Sequence, residues 1–200
     1  MLTETDIVDL HAPAVEPDTA RIERAVHELL AAVGEDPFRD GLLNTPSRVA
    51  RMWCELLDGY RENPAAHLAT TFDIAHGELV LVKDIAFSSM CEHHMLPFTG
   101  HAHIAYLPAG GRVTGLSKLA RLVDGFAHRL QVQERLTVQI ADALEAMLEP
   151  AAVLVVVDAE HSCMGLRGVR KPGSSTVTTA ARGMYRTDSC ARAEVLGFIR

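Results

Sequence analysis

The stretch that most constrains this chain is Ser88–Met95, SSMCEHHM, which sets Cys91, His93 and His94 within four residues, together with a distant counterpart, His161-Ser162-Cys163. Thiolate and imidazole are ligand types that zinc favours. A C-x-x-H of Cys91 and His94 plus the remote Cys163 gives three protein ligands to a tetrahedral ion and leaves one position open. A structural zinc site would use four protein ligands, so this set points to chemistry, and His93 and His161, one beside each cluster, are read as proton-transfer groups. Alone, C-x-x-H is a weak signal, because Cys is often a small buried hydrophobe and His a satisfied polar residue. The second cluster strengthens it: if that cluster ends a strand, alternation turns His161 and Cys163 to one face, where both reach one site. The reading is a hydrolytic zinc enzyme.

Two hundred residues, 48% of them hydrophobic, suit one domain with an N-terminal extension. No apolar run approaches the roughly 20 residues needed to span a membrane, and the N-terminus MLTETDIVDLH is acidic without a signal-like apolar region, so a cytoplasmic protein with no membrane partner is expected. Four cysteines in such a chain argue for reduced thiols and metal rather than a disulfide framework. The formal charge of -7 is lopsided: residues 1–64 carry 6 Lys/Arg against 13 Asp/Glu, and the remainder balances. Lys118 and Arg121 follow a Gly-Leu-Ser turn, and Arg167, Arg170 and Lys171 follow Cys163 closely. That grouping suits a small polyanion such as a triphosphate. A nucleic-acid surface would want a broad basic face and a pI above 5.8, and a merely solvated basic loop is the competing reading.

In chain order, residues 1–17 read as a loose tail, 18–64 as a helical extension and 65–200 as the zinc-containing catalytic domain. Asp18 caps a first helix that Gly34 stops, and Thr45 with Pro46 opens a second. Residues 63–77 read as a polar linker. ELVLVKDIAF is a strand leading into the CEHH cluster, and His101–Leu107 is its antiparallel neighbour, with His101 and His103 on the sheet surface. Ser117 caps a helix carrying Leu119, Leu122, Val123, Phe126 and Leu130; a further helix carries Leu136, Ile140, Leu144 and Leu148. AAVLVVVDAEHSC is a strand delivering His161 and Cys163 at its end, SSTVTTAA is a fourth strand, and a short helix closes the chain over 188–199. The predicted architecture is α+β, a four-stranded antiparallel sheet in ββααββ order with two helices on one face. Its open edges ask to be covered by oligomerisation.

At this level the chain resembles GTP cyclohydrolase I. The likeness runs from about Asp18 to Arg200 through GEDPFRDGLLNTPSRVARM, SSMCEHHMLPFTGHAHIAYLP, GLSKLARLVDGFAHRLQVQERLT and HSCMGLRGVRKPGSSTVTT. The resemblance implies the tunnelling fold, a homodecamer with active sites shared between neighbouring chains, and one zinc per subunit. It implies zinc ligation by Cys91, His94 and Cys163, with His93 kept beside the metal and His161 as the acid–base histidine. Guanine anchoring falls on Gln133 and Glu134, and phosphate binding on Ser117, Lys118, Arg121 and Arg167, with Ser117 also a candidate for proton transfer near the sugar. The implied reaction turns GTP and water into formate and 7,8-dihydroneopterin triphosphate, the first step of pterin and tetrahydrofolate biosynthesis. Two departures, Tyr185 where the family usually has Phe and Val195 where an aromatic is common, lie away from this chemistry.

Two other classes are weighed against this reading. A zinc nucleobase deaminase carries H-x-E together with P-C-x-x-C, and this chain has no P-C-x-x-C. A noncatalytic zinc module requires a fourth protein ligand, for which His93 or His161 would have to serve.

Overall fold

Val80–Cys91 and Pro97–Leu107 are rich in β-branched and aromatic residues, and the intervening segment turns sharply enough to fold one back on the other. Cys91 N–H donates to Leu96 O at 2.9 Å and Met95 N–H to Cys91 O at 2.8 Å, with Met95 at a φ of 53°. The computed structural model describes residues 16–74 and 76–199, so most of the expected tail lies outside the described residues. Helices α1 (Thr19–Ala32) and α2 (Thr45–Leu56) pack on each other and come first. Asp18 caps α1 by accepting from Arg21 N–H at 2.8 Å, and Gly34 follows its end at a φ of 90°. For α2 the cap is Asn44, and Thr45 is already helical, one residue from expectation.

Residues 63–77 are no linker. A 3₁₀ helix over Pro64–Ala69 buries Leu68 completely in the main core, and β1 (Thr71–Asp73) pairs with β4 (Arg112–Thr114) as a separate two-stranded sheet. The main sheet contains β2 (Val80–Cys91), β3 (Pro97–Leu107), β5 (Leu130–Gln131), β6 (Ala152–His161) and β7 (Ser175–Gly183), in the order β5-β2-β3-β6-β7. The four long strands are antiparallel as predicted; β5 is a fifth, parallel to the end of β2. Strands of two or three residues are too short to show a period of two.

Between the two strand pairs lie α3 (Leu116–Ala127) and α4 (Gln133–Leu148). Leu119, Leu122, Val123 and Phe126 of α3 and Leu136, Ile140 and Leu144 of α4 are all fully buried, the spacing of a helix stripe laid on a sheet. Each such burial contributes about 1.5–3 kcal/mol. Gly115, not Ser117, is the residue that caps α3; Ser117 lies inside the first turn. The apolar run of β6 is buried on both faces. Val153, Val155 and Val157 meet α3 and α4, while Leu154 and Val156 meet a second cluster that holds Tyr185 and Val195. After β6 come the short helix α5 (Ser162–Gly165), then β7, α6 (Met184–Thr187) and α7 (Ser189–Ile199). Thus α6 and α7 cover part of the face expected to be bare, and both departures from the family pattern pack there.

His103 also departs from expectation: it is 7% exposed rather than on the surface. The cause is a bulge between Val82 and Ile85, where Asp84 takes a φ of 58° and its N–H donates to His103 Nδ1 at 3.2 Å. Nδ1 must therefore carry a lone pair, and burial, partly opposed by the Asp84 carboxylate, holds the His103 pKa below its ordinary value. The sign follows. Above the unfolded pKa of about 6.5 both states are neutral and stability is complete; as pH falls through the depressed folded value the unfolded chain binds the proton first and stability is lost. We expect His103→Gln, which keeps an acceptor without a titrating ring, to reduce the loss of thermal stability below about pH 6.5 relative to the parent chain. Identical melting-temperature profiles over that range would show that His103 does not contribute.

Candidate metal centre

Three strand or helix ends converge where β2, α4 and β6 meet. On β2, Ile85, Phe87, Ser89 and Cys91 alternate toward the helices, so Cys91 enters the core at 5% exposure. Its strand end is fixed by Ser89 Oγ donating to Ala127 O at 2.6 Å and by pairing with Gln131 of β5. The turn after it is tied to α4: Arg135 donates twice to the Glu92 carboxylate, at 2.7 and 3.0 Å, which holds the Glu92 pKa below the usual carboxylate value. This bidentate pair escaped the sequence reading, since nothing in the spacing of residues 92 and 135 announces it.

Cys91, His94 and Cys163 come together with their ligand atoms all within 4.8 Å of one another. Cys163 arrives differently from expectation. β6 ends at His161, and Cys163 sits in the helical turn of α5 rather than two residues along a strand. Strand alternation therefore orients His161 alone, and the turn swings Cys163 to the trio. Among the described residues no fourth Cys, His, Asp or Glu joins this group. His93 stands beside it, exposed, with Nδ1 3.8 Å from Cys91 Sγ. Burial and the adjacent Cys91 push the Cys163 thiol pKa up, with Arg167 opposing. A cation bound between the two sulfurs would favour their deprotonated forms. The donor set thus fits a metal ion, and its softness suits zinc.

The remaining expected residues divide into two groups. His161 lies flat on Phe98, rings stacked at 4.6 Å and 4°, and its Nε2 is 2.9 Å from Gln133 Oε1. Burial lowers its pKa, and the charge of Glu134 opposes that. Gln133 is buried and Glu134 is exposed, side by side in the first turn of α4. Arg167 donates to His94 Nε2 at 3.2 Å. Ser117, Lys118 and Arg121 are elsewhere: they occupy the start of α3, whose other end reaches Ser89. Just before α3, Thr114 N–H donates to the Tyr106 hydroxyl, and Tyr106 and Phe98 lie toward opposite ends of β3. Phe98 was missed as a site residue, although it shares the parity of Ala102, Ile104 and Tyr106 and so had to face the core.

An α+β sheet with a Cys/His trio that could hold a metal ion at its strand ends and a part-buried histidine alongside is the arrangement of an enzyme with a candidate metal centre. The family model of GTP cyclohydrolase I matches residues 22–200. The GTP cyclohydrolase 1 of Bacillus subtilis (strain 168) is 57% identical over 185 residues, 92% of this chain and 97% of that protein. That of Rhodopirellula baltica is 59% identical over 192 residues, 96% and 83% of the two chains, and that of Geobacillus kaustophilus 58% over 185, 92% and 98%. The chain belongs to the GTP cyclohydrolase I family. Among solved structures, the apo form of an archaeosine synthase QueF-like protein aligns with 52% of this chain and 93% of its own, at 22% identity and a TM-score of 0.44, too loose a likeness to bear on function.

Removing one ligand of three should empty the centre. Cys163→Ser and His94→Ala are each expected to purify with metal content lowered by an order of magnitude or more, in line with direct ligand loss, whereas His161→Ala keeps its metal. Elemental analysis decides it: metal retained in Cys163→Ser, or lost from His161→Ala, contradicts the ligand set.

Proposed function

We propose that this chain is a zinc-dependent enzyme that hydrolyses and rearranges GTP to 7,8-dihydroneopterin triphosphate and formate, with one zinc per subunit held by Cys91, His94 and Cys163. The observation that carries the reading is the convergence of these three ligands beside His161 in a member of the GTP cyclohydrolase I family. When bound, the ion supplies a water whose pKa is brought to about 7. The residues do the rest. C8 of a neutral purine is a poor electrophile, and proton delivery to N7 by His161 favours addition of water there. His93, exposed beside Cys91, moves a proton as the imidazole ring opens. Glu134, exposed at the start of α4 with its charge acting on His161, accepts from the N1–H and 2-amino donors of guanine, a pattern adenine lacks. Gln133 completes this end of the site from behind, through its bond to His161.

Arg167, on the metal side, together with Lys118 and Arg121, binds the triphosphate, and Ser117 serves near the sugar. α3 has 12 residues and is about 18 Å long, and Ser117 and Lys118 occupy the end away from the metal centre. A second copy of the chain brings them to a neighbour's metal end. Exposed apolar side chains on the N-terminal helices and their connection, Leu29, Val33 and Phe38, together with the exposed edge of β7, support such an assembly, and the family implies a decamer.

Incubation with GTP, with formate and the oxidised fluorescent pterin both measured, is the primary test. Equal release of both, abolished by a chelator and restored by zinc, is expected; a deaminated purine or no turnover overturns the reading. Glu134→Gln offers one acceptor and a misplaced donor, so its preference for GTP over ATP should fall by about 10²-fold or more. A preference equal to the parent's removes Glu134 as the base anchor.

Sharing of the site has its own measurement. Co-expressed Lys118→Ala and His161→Ala chains, each inactive alone, should form mixed oligomers in which some sites hold Lys118 from one chain and His161 from another. Activity well above either parent variant is expected; none, in verified mixed oligomers, means each site is built within one chain.

A further inference from the structure

Gln133 is 1% exposed, and its side chain is held by groups that fix which end is which. Nε2 lies 3.0 Å from Val157 O and 2.7 Å from Thr176 O. Main-chain carbonyls only accept, so both N–H bonds of the amide point toward β6 and β7. Thr178 Oγ1, 3.2 Å from the same nitrogen, agrees with that orientation. Thr137 uses its hydroxyl proton on Gln133 O at 2.7 Å, so in the 2.6 Å contact between the two threonines Thr178 donates and keeps a lone pair for Gln133.

The oxygen Oε1 is therefore the atom that faces His161 Nε2 at 2.9 Å, and a carboxamide oxygen only accepts. Nε2 must carry the hydrogen. In the neutral imidazole the lone pair then resides on Nδ1, for which no hydrogen-bond partner stands among the described residues. Stacking on Phe98 holds the ring plane, and a ring flip would take Nε2 from its acceptor.

We propose that Gln133 is a positioning residue that fixes His161 as its Nε2–H tautomer and turns Nδ1 toward the substrate. This rests on His161 being the proton-transfer group of the reaction proposed above. Nδ1 is then the atom that, in the doubly protonated ring, gives its proton to the purine, which leaves the neutral Nε2–H form whose Nδ1 lone pair takes a proton back later in the sequence. Without the acceptor, neutral His161 populates both tautomers, and the Nδ1–H form presents a donor where a lone pair is needed. Proton transfer by a positioned side chain is worth about 10²–10⁴-fold, so loss of positioning should lower kcat by about 10²-fold and leave KM unchanged. A direct contact to guanine would show the opposite pattern, in KM and in base selection.

The test uses the full, zinc-loaded chain labelled with ¹⁵N-histidine, the His161 signals being assigned by their absence from His161→Ala. Solid-state NMR at a pH where the ring is neutral should show the proton on Nε2 in the parent chain, and a mixture of tautomers in Gln133→Met. An Nδ1–H ring in the parent overturns the proposal. In parallel, Gln133→Met should lose kcat at constant KM and constant metal content. Gln133→Glu, which as the neutral acid keeps an accepting oxygen toward His161 and a donor toward the carbonyls of Val157 and Thr176, should recover part of that loss. A variant that raises KM with kcat intact overturns the positioning role. If Gln133→Met does not fold, the parent spectrum and Gln133→Glu still decide. A parent enzyme that releases no formate from GTP instead refutes the proposed function, and with it the catalytic half of this inference, while the tautomer measurement stands.

Discussion

The antiparallel pairing of β3 with β6 runs in unbroken register from Phe98 opposite His161 to Leu107 opposite Ala152, and that register governs which residues can meet at the end of the sheet. Because side chains alternate, a slip of one residue would turn His161 away from α4 and expose the valines that now face it. Gly100 belongs to the same constraint: a Cβ there would stand 1.9 Å from Asp158 O, so only glycine lets the two strands close at this point. The ladder therefore locates His161, and through the following turn Cys163, against the Cys91 turn carried by β2.

Around that frame the polar groups are held from α4. Its first turn supplies Gln133 to His161, Arg135 to Glu92, and the exposed carboxylate of Glu134. One helix end thus serves the histidine, the turn that carries Cys91 and His94, and the open face together. The two thiols have contrasting settings: Cys91 is buried in the main core, whereas Cys163 is half exposed beside Arg167. Burial raises the Cys163 pKa, and the Arg167 charge opposes that rise.

The long strands, both central helices and the Cys/His clusters that come together were legible because each has a local signature: β-branched runs, helical stripes and close Cys/His spacing. What the sequence hid depends on contacts between distant segments. His103 keeps the face its alternation predicts but is buried there, because a bulge in the adjoining strand β2 gives its ring a backbone donor that no local pattern announces. The segment 63–77 looked like a linker because its buried side chains among the described residues, Pro64, Ala65 and Leu68, are too few to set out a helical or strand period. Cys163 was assigned to a strand because H-x-C fits alternation as well as it fits a turn. Gln133 carried no sign that its amide would be occupied within the chain, since its partners Val157 and Thr176 contribute main-chain atoms that any residue would offer.

Cys91 and Cys163 belong to opposite halves of the chain, and they adjoin only after β3 has paired with β6. A metal site at these residues thus depends on tertiary structure and not on one local segment. A zinc finger has too small a core to fold without its ion, whereas here the Cys/His trio stands at the margin of a large apolar core. On the ribosome, the upstream half of the site emerges long before its complement, so nascent chains hold an isolated Cys-x-x-His rather than a competent centre. Any selection among metals then depends on two things at once, the soft thiols that the sequence supplies and the folded geometry that brings them to one imidazole.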